Sequence, residues 1–170
     1  MTETFTLYKL IVLYMLKKVD FPLTTSQISE FILDKGYTTY FKLQEALSDM
    51  VDSELLEAET THNRTLYHLT ENGTETIRFF TNKISPGIQK DINEFLREKQ
   101  YDLKEESAVK SDYYLNTNHE YEVRCRIVEN GFSLIDLKIT VPTKTEAETI
   151  ANNWAGRSQD IYALLLSKLL

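Results

Sequence analysis

The sequence predicts an α+β fold in two parts, and three observations carry that prediction. From about residue 4 to residue 53, apolar residues recur at spacings of three and four, as in short packed helices. Two strand-like runs within Leu55–Leu69 then flank a polar tip, a hairpin pattern. From Tyr121 to Val141 apolar and polar residues alternate around Asn130-Gly131, and after Pro142 helical spacing returns to the end of the chain.

The elements follow in order. Thr4 or Thr6 is expected to cap a first helix with Leu7, Leu10, Ile11, Tyr14 and Met15 on one face, ending near Val19. Asp20-Phe21-Pro22 forces an extended connection. Thr24-Thr25-Ser26 offers caps for a second helix that buries Ile28, Phe31, Ile32 and the stem of Lys35, with Gly36 as its stop. Tyr37-Thr38-Thr39 turns into a third helix over Thr38–Ser53, with Leu43, Ala46, Leu47 and Met50 inward and Thr39, Lys42, Glu45 and Asp49 outward. Strands at Leu55–Glu59 and Thr65–Leu69 bracket the tip residues Thr60-Thr61-His62-Asn63-Arg64. Thr70 caps a fourth helix whose inner face is Ile77, Phe80 and Ile84. Pro86 starts a fifth, running to about Lys99 with Ile88, Ile92, Phe95 and Leu96 inward.

The second half reads as a strand over Glu105–Leu115, a turn at Asn116-Thr117-Asn118, and a hairpin of Tyr121–Ile127 with Leu134–Val141. Thr143 with Glu146, and Thr145 with Glu148, have the spacing of capping boxes for the last helix, which carries Ala147, Ile150, Ala151, Trp154, Ile161, Leu164 and Leu165. Gly156 is a point where that helix is expected to break. The domain division expected is residues 1–84 and 85–170, with 86–99 a linking helix and the strands and terminal helix in 105–170.

Composition narrows the function classes. The apolar run Leu10–Leu16 is flanked by Lys9, Lys17 and Lys18 and is too short for a bilayer span of roughly 20 residues, so no membrane association is expected. One cysteine, Cys125, excludes an internal disulfide and points to a reducing, cytoplasmic setting. Alternation sends the neighbouring Arg124 and Arg126 to the opposite face, leaving Cys125 in the core. His62 and His68 share a hairpin without a close-spaced ligand pattern, so neither a metal nor a cofactor is expected. Five glycines, no phosphate-binding loop and no nucleophile elbow speak against an enzyme. The net charge is −7, divided into −4 for residues 1–84 and −3 for 85–170, so a DNA-binding face would have to be local.

Three helices followed by a two-stranded ribbon is the order of a winged helix-turn-helix, in which a reading helix and a wing meet DNA. The segment Tyr67-His68-Leu69-Thr70-Glu71-Asn72-Gly73 resembles the Tyr-x-Leu-Thr-x-x-Gly phrase that closes the wing in bacterial regulators of the MarR and PadR kind. Leu47-x-x-Met50 followed by Glu54-Leu55-Leu56 resembles their passage from recognition helix to wing. The match covers about residues 4–84. The chain as a whole resembles an uncharacterised bacterial winged-helix family known only as a domain of unknown function. The resemblance implies a transcription regulator without catalytic residues.

On that reading the residues expected at double-stranded DNA are Thr38, Thr39, Tyr40, Lys42 and Gln44 on the third helix, with His62, Asn63 and Arg64 on the wing. Hydroxyls and Lys42 suit phosphate, Gln44 suits adenine, and Arg64 suits a minor groove. Such regulators bind palindromic sites as dimers, so a homodimer is expected, through the 86–99 helix or Ile161–Leu170. The alternative is a protein partner. Glu45, Asp49, Asp52, Glu54, Glu57 and Glu59 repel phosphate and suit a basic protein, and the fold alone does not decide.

Overall fold

The computed structural model describes residues 3–62 and 64–170. Among these described residues it is an α+β protein of six α-helices and two small antiparallel sheets, with a helix at its C-terminal end. The chain divides into two compact units. The first runs from α1 through the helical and hairpin segments as far as Lys104, and the second holds the chain from Glu105 onward together with Thr61 and His62.

Helix α1 (Glu3–Lys18) already contains Thr4 and Thr6, so neither is its cap. Leu10 to Leu16 are all buried. The one-sided stripe expected from spacing is therefore too narrow. A helix apolar all round is a central helix, and α1 is the axis of the first core. Leu23–Thr24, read as plain extended chain, form a short strand β1. It pairs antiparallel with a later strand through Leu23↔Tyr67 and Thr24↔Leu66. Two residues are too few to leave a periodic signal.

Helix α2 (Thr25–Asp34) is capped by Thr24, and the box is reciprocal. Gln27 N–H donates to Thr24 Oγ1 (3.1 Å) and Thr24 N–H donates to Gln27 Oε1 (2.9 Å). Ile28, Phe31 and Ile32 are buried as their spacing predicts, whereas Lys35 is exposed beyond the helix end. Helix α3 (Tyr40–Asp52) buries Leu43, Ala46, Leu47 and Met50, the expected set. Strands β2 (Leu56–Thr60) and β3 (Thr65–Leu69) form the hairpin, and the first sheet has the order β1-β3-β2.

Helix α4 (Glu71–Phe80) starts at the Thr70 cap, whose Oγ1 accepts from Gly73 N–H at 3.0 Å. Ile77 and Ile84 are buried, but Phe80 is 39% exposed. A 3-10 turn at Thr81–Lys83 rotates the chain after Phe80, so the 3.6-residue spacing that linked it to Ile84 does not hold there. Helix α5 (Pro86–Ala108) overruns its expected end near Lys99 by nine residues, and the expected strand from Glu105 begins at Val109 instead. The reason is visible in its contacts. Leu103 extends the buried stripe of Ile92 and Leu96 by two further turns. The Leu103 carbonyl also accepts from the buried Gln27 side chain at 3.2 Å.

In the second unit β4 (Val109–Leu115), β5 (Tyr121–Glu129) and β6 (Phe132–Val141) form a sheet in that order. Asn130 and Gly131 both have positive φ (52° and 81°), the geometry of a type I′ hairpin turn. Asn116 closes the other turn, its side chain accepting from Asn118 and Glu120 N–H at 2.9 and 3.0 Å. Helix α6 (Lys144–Leu169) lies across one face. Thr143 is its cap. Thr145 lies inside the helix and caps nothing, and the helix continues through Gly156 without a break. The second core is Val109, Tyr113, Val123, Cys125, Ile127 and Ile135 against Ala147, Ala151 and Trp154. Tyr113 and Trp154 thus belong to the core, while Tyr114 points to the other sheet face. Among the described residues no helix is long and apolar enough to cross a membrane.

Candidate nucleic-acid interface

The segment between α2 and α3 is built by backbone chemistry. Gly36 takes φ +71°, its N–H donates to the Leu33 carbonyl, and Tyr37 N–H reaches the Ile32 carbonyl, both at 3.1 Å. This is the paired closure of a Schellman motif, and it needs a residue that accepts the left-handed conformation. Tyr37 then packs on Phe31 at a ring distance of 5.9 Å, fixing the exit direction of the chain. Thr39 caps α3, its Oγ1 accepting from Lys42 N–H at 3.4 Å.

The first turn of α3 is therefore presented at the surface. Tyr40 is 51% and Phe41 84% exposed, and Lys42 is exposed beside them. Gln44 is half-buried. Thr38 is the exception, since its Oγ1 is buried. Phe41 was not among the expected contacts. It falls at the centre of the outward face, opposite Leu43 and Met50, and an aromatic residue in a helical run is ordinarily assigned to the core. The same outward face carries Glu45, Ser48 and Asp52 in later turns. Asp49 lies on the flank, paired with Lys9 at 3.5 Å. The charge of α3 is thus graded: there is no carboxylate in the first turn, and three follow.

The hairpin follows directly. Glu59 on β2 and His68 on β3 pair at 3.1 Å, and the Thr60 and Thr65 hydroxyls are 3.4 Å apart at the mouth of the turn. Arg64, the residue before β3, is half-buried, with its Nη2 buried. The His62 ring stacks on Tyr113 at 4.0 Å and its Nδ1 bonds to Asp112, so that ring is already engaged. Asn63 lies outside the described residues. Behind the hairpin, the Thr70 hydroxyl donates toward the Glu54 and Leu55 carbonyl oxygens (2.7 and 2.9 Å) while it caps α4, tying the hairpin base to the helix. Gly73 permits that closeness. A Cβ there would stand 2.2 Å from the Leu55 carbonyl oxygen and 2.7 Å from Leu69 Cδ1.

A family model described as a domain of unknown function (DUF4364) matches residues 8–169. The chain belongs to that family. The match runs through both compact units, so the first-unit helices and the second-unit sheet are parts of one DUF4364 domain. No curated protein and no solved structure matches the chain.

A second feature of this DUF4364 chain is a concavity of about 450 Å³ between α2 and α5, lined by Glu30, Asp34, Asp91, Glu94 and Glu98 with Lys35, Phe95 and Lys99. Lys99 bonds to Glu30, which holds its ammonium above the usual lysine range. The carboxylates come from two helices far apart in sequence, so no local pattern announces them.

Proposed function

We propose that the first unit is a winged helix-turn-helix and that the protein is a non-catalytic, DNA-binding transcription regulator acting as a homodimer. The observation that carries this reading is the carboxylate-free first turn of α3. It displays Thr39, Tyr40, Phe41 and Lys42 at the end of a tightly closed α2–turn–α3 pair, backed by a three-stranded sheet of order β1-β3-β2. A recognition helix meets base edges with its N-terminal residues, where its own dipole favours phosphate. Graded charge suits that pose at the tip itself: Asp49 and Asp52 lie further along the helix, and Glu45, beside Gln44 in the second turn, is the carboxylate whose charge most opposes phosphate. Arg64 on the hairpin supplies the second cation. Gln44, one turn further in, is the candidate for adenine.

A second reading rests on the later turns. Glu45 and Asp52 on α3 and Glu57 on β2 are exposed acidic groups, and a lysine-rich protein segment would complement them. Charge reversal separates the two. In fluorescence anisotropy with duplex DNA across a salt series, Lys42→Ala and Arg64→Ala are each expected to weaken binding several-fold and to make the salt slope shallower by about 0.9 per lost phosphate contact. Glu45→Lys is expected to tighten DNA binding. Unchanged binding in all three variants contradicts the assigned face, and loss of a basic partner in Glu45→Lys without any DNA binding favours the second reading.

A further inference from the structure

The outer edge of the second sheet carries a self-complementary pattern. Strand β6 has β5 on one side only, in register Val123↔Ile139, Arg124↔Lys138, Cys125↔Leu137, Arg126↔Asp136 and Ile127↔Ile135. Ten residues of strand with an unpaired edge form a template for another strand unless something blunts it. A β-bulge at Leu134, between the pairs Ile127↔Ile135 and Val128↔Ser133, interrupts β6 near its start, and the regular stretch Ile135–Val141 beyond it has neither a proline nor an inward-pointing charge. Its charges, Asp136 and Lys138, stand on the face away from α6, and its helix-facing residues are Ile135, Leu137, Ile139 and Val141.

Helix α6 leaves that edge uncovered. Hydrogen bonds set its position over β4 and β5, among them Tyr113 OH to Glu148 Oε1 (3.0 Å), Ser111 Oγ to the Ala151 carbonyl (2.7 Å) and Trp154 Nε1 to the Arg126 carbonyl (3.0 Å). Its packing against β6 is the thinnest of the three. Glu148 and Ala151 mark the β4 flank. At about 100° per residue, Ile150, Ile161 and Leu164 then fall on the opposite flank, toward β6. Leu164 is 55% and Ile139 41% exposed, so an apolar trough runs along the helix-facing side of this edge.

We propose that a second copy of this chain occupies the edge, pairing β6 with β6 antiparallel about a two-fold axis through Leu137. That register sets Ile135 against the second copy's Ile139, Leu137 against its own counterpart, and Asp136 against the second copy's Lys138, each twice. Apolar residues meet on the helix side and opposite charges on the other, which is the combination that stabilises cross-strand pairs. Neighbouring registers fail. An axis through Asp136 or Lys138 places like charges opposite one another, and a shift by an odd number of residues sets apolar side chains against charged ones. The product is a continuous six-stranded sheet with an isologous interface, and the two α6 helices flank the filled trough. This deepens the dimer part of the proposed function and stands without DNA binding.

Sedimentation equilibrium of the full chain at 10 to 100 μM tests it, with melting curves to verify folding. The wild type is expected at twice its 19.8 kDa mass. Ile139→Lys is expected to weaken the dimer by about tenfold or more, by placing two ammonium groups in the trough. Lys138→Asp and Asp136→Lys each oppose like charges as homodimers, but mixed together they restore two opposite-charge pairs, so the mixture is expected to associate more tightly than either alone. A monomeric wild type overturns the proposal. So does a dimer indifferent to Ile139→Lys, or one dissolved instead by Leu169→Lys at the exposed end of α6. A dimer that responds as described but binds no DNA leaves this interface standing and removes only the DNA reading.

Discussion

Gly73 shows how one residue can hold two elements together. Its absent side chain lets the first turn of α4 lie against the Leu55 carbonyl, and a methyl group would stand 2.2 Å from that oxygen. The atom in the way is backbone, which gives little. Gly73→Ala is therefore expected to destabilise the fold by about 1–3 kcal/mol, read as a lower urea midpoint at unchanged slope. Cys125 shows the opposite case, a reactive group made inert by its surroundings. Burial pushes its thiol from 9.0 up to about 11, because a thiolate in that apolar layer would lose its hydration. Arg124 and Arg126 do not counter this, for they lie on the other sheet face, where Arg124 grips Asp136 at 3.0 and 2.7 Å and holds that carboxyl below its usual range. The folded state keeps the Cys125 proton more tightly than the unfolded state. The stability this group supports is whole below pH 9 and is lost as pH rises toward about 11. An aromatic disulfide reagent at pH 8 is expected to find no thiol in the native protein and one in urea. Rapid native labelling would contradict the burial.

At the scale of the element, most of the fold is written in local chemistry. Caps and turns are the clearest cases: Thr24, Thr39, Thr70 and Thr143 each accept the N–H three residues ahead, and Asn130-Gly131 makes its turn. Elements fixed by distant partners are harder to read. β1 exists because β3 lies beside it, and α5 continues past Lys99 because Gln27 and the first core hold Leu103. The candidate interface follows the same division. Lys42 and Tyr40 follow from the helix pattern, whereas Phe41 on the outside and the engaged His62 ring follow from tertiary packing. Gly156 is instructive because a helix breaker fails to break. Flanking anchors at Trp154 and Ser158 hold that turn, and a Cβ at Gly156 would meet open space. Gly156→Ala is accordingly expected to raise stability by about 0.5–1 kcal/mol, measurable as a higher thermal midpoint. A loss of stability would show that the turn needs glycine.

At the scale of the whole molecule, charge sets the condition on function. A chain of net charge −7 repels DNA at long range, so on the proposed reading binding has to come from a short-range arrangement in which Lys42, Arg64 and the α3 dipole outweigh the rest. That reading predicts a weak non-specific background, with discrimination resting on fit at the α3 tip. The measurement that tests this most directly is fluorescence anisotropy of the wild-type protein with its own upstream DNA and a scrambled duplex, over a series of salt concentrations. Tighter, salt-sensitive binding to the native fragment is the expected result. No binding to either duplex at low salt would contradict the DNA-binding reading.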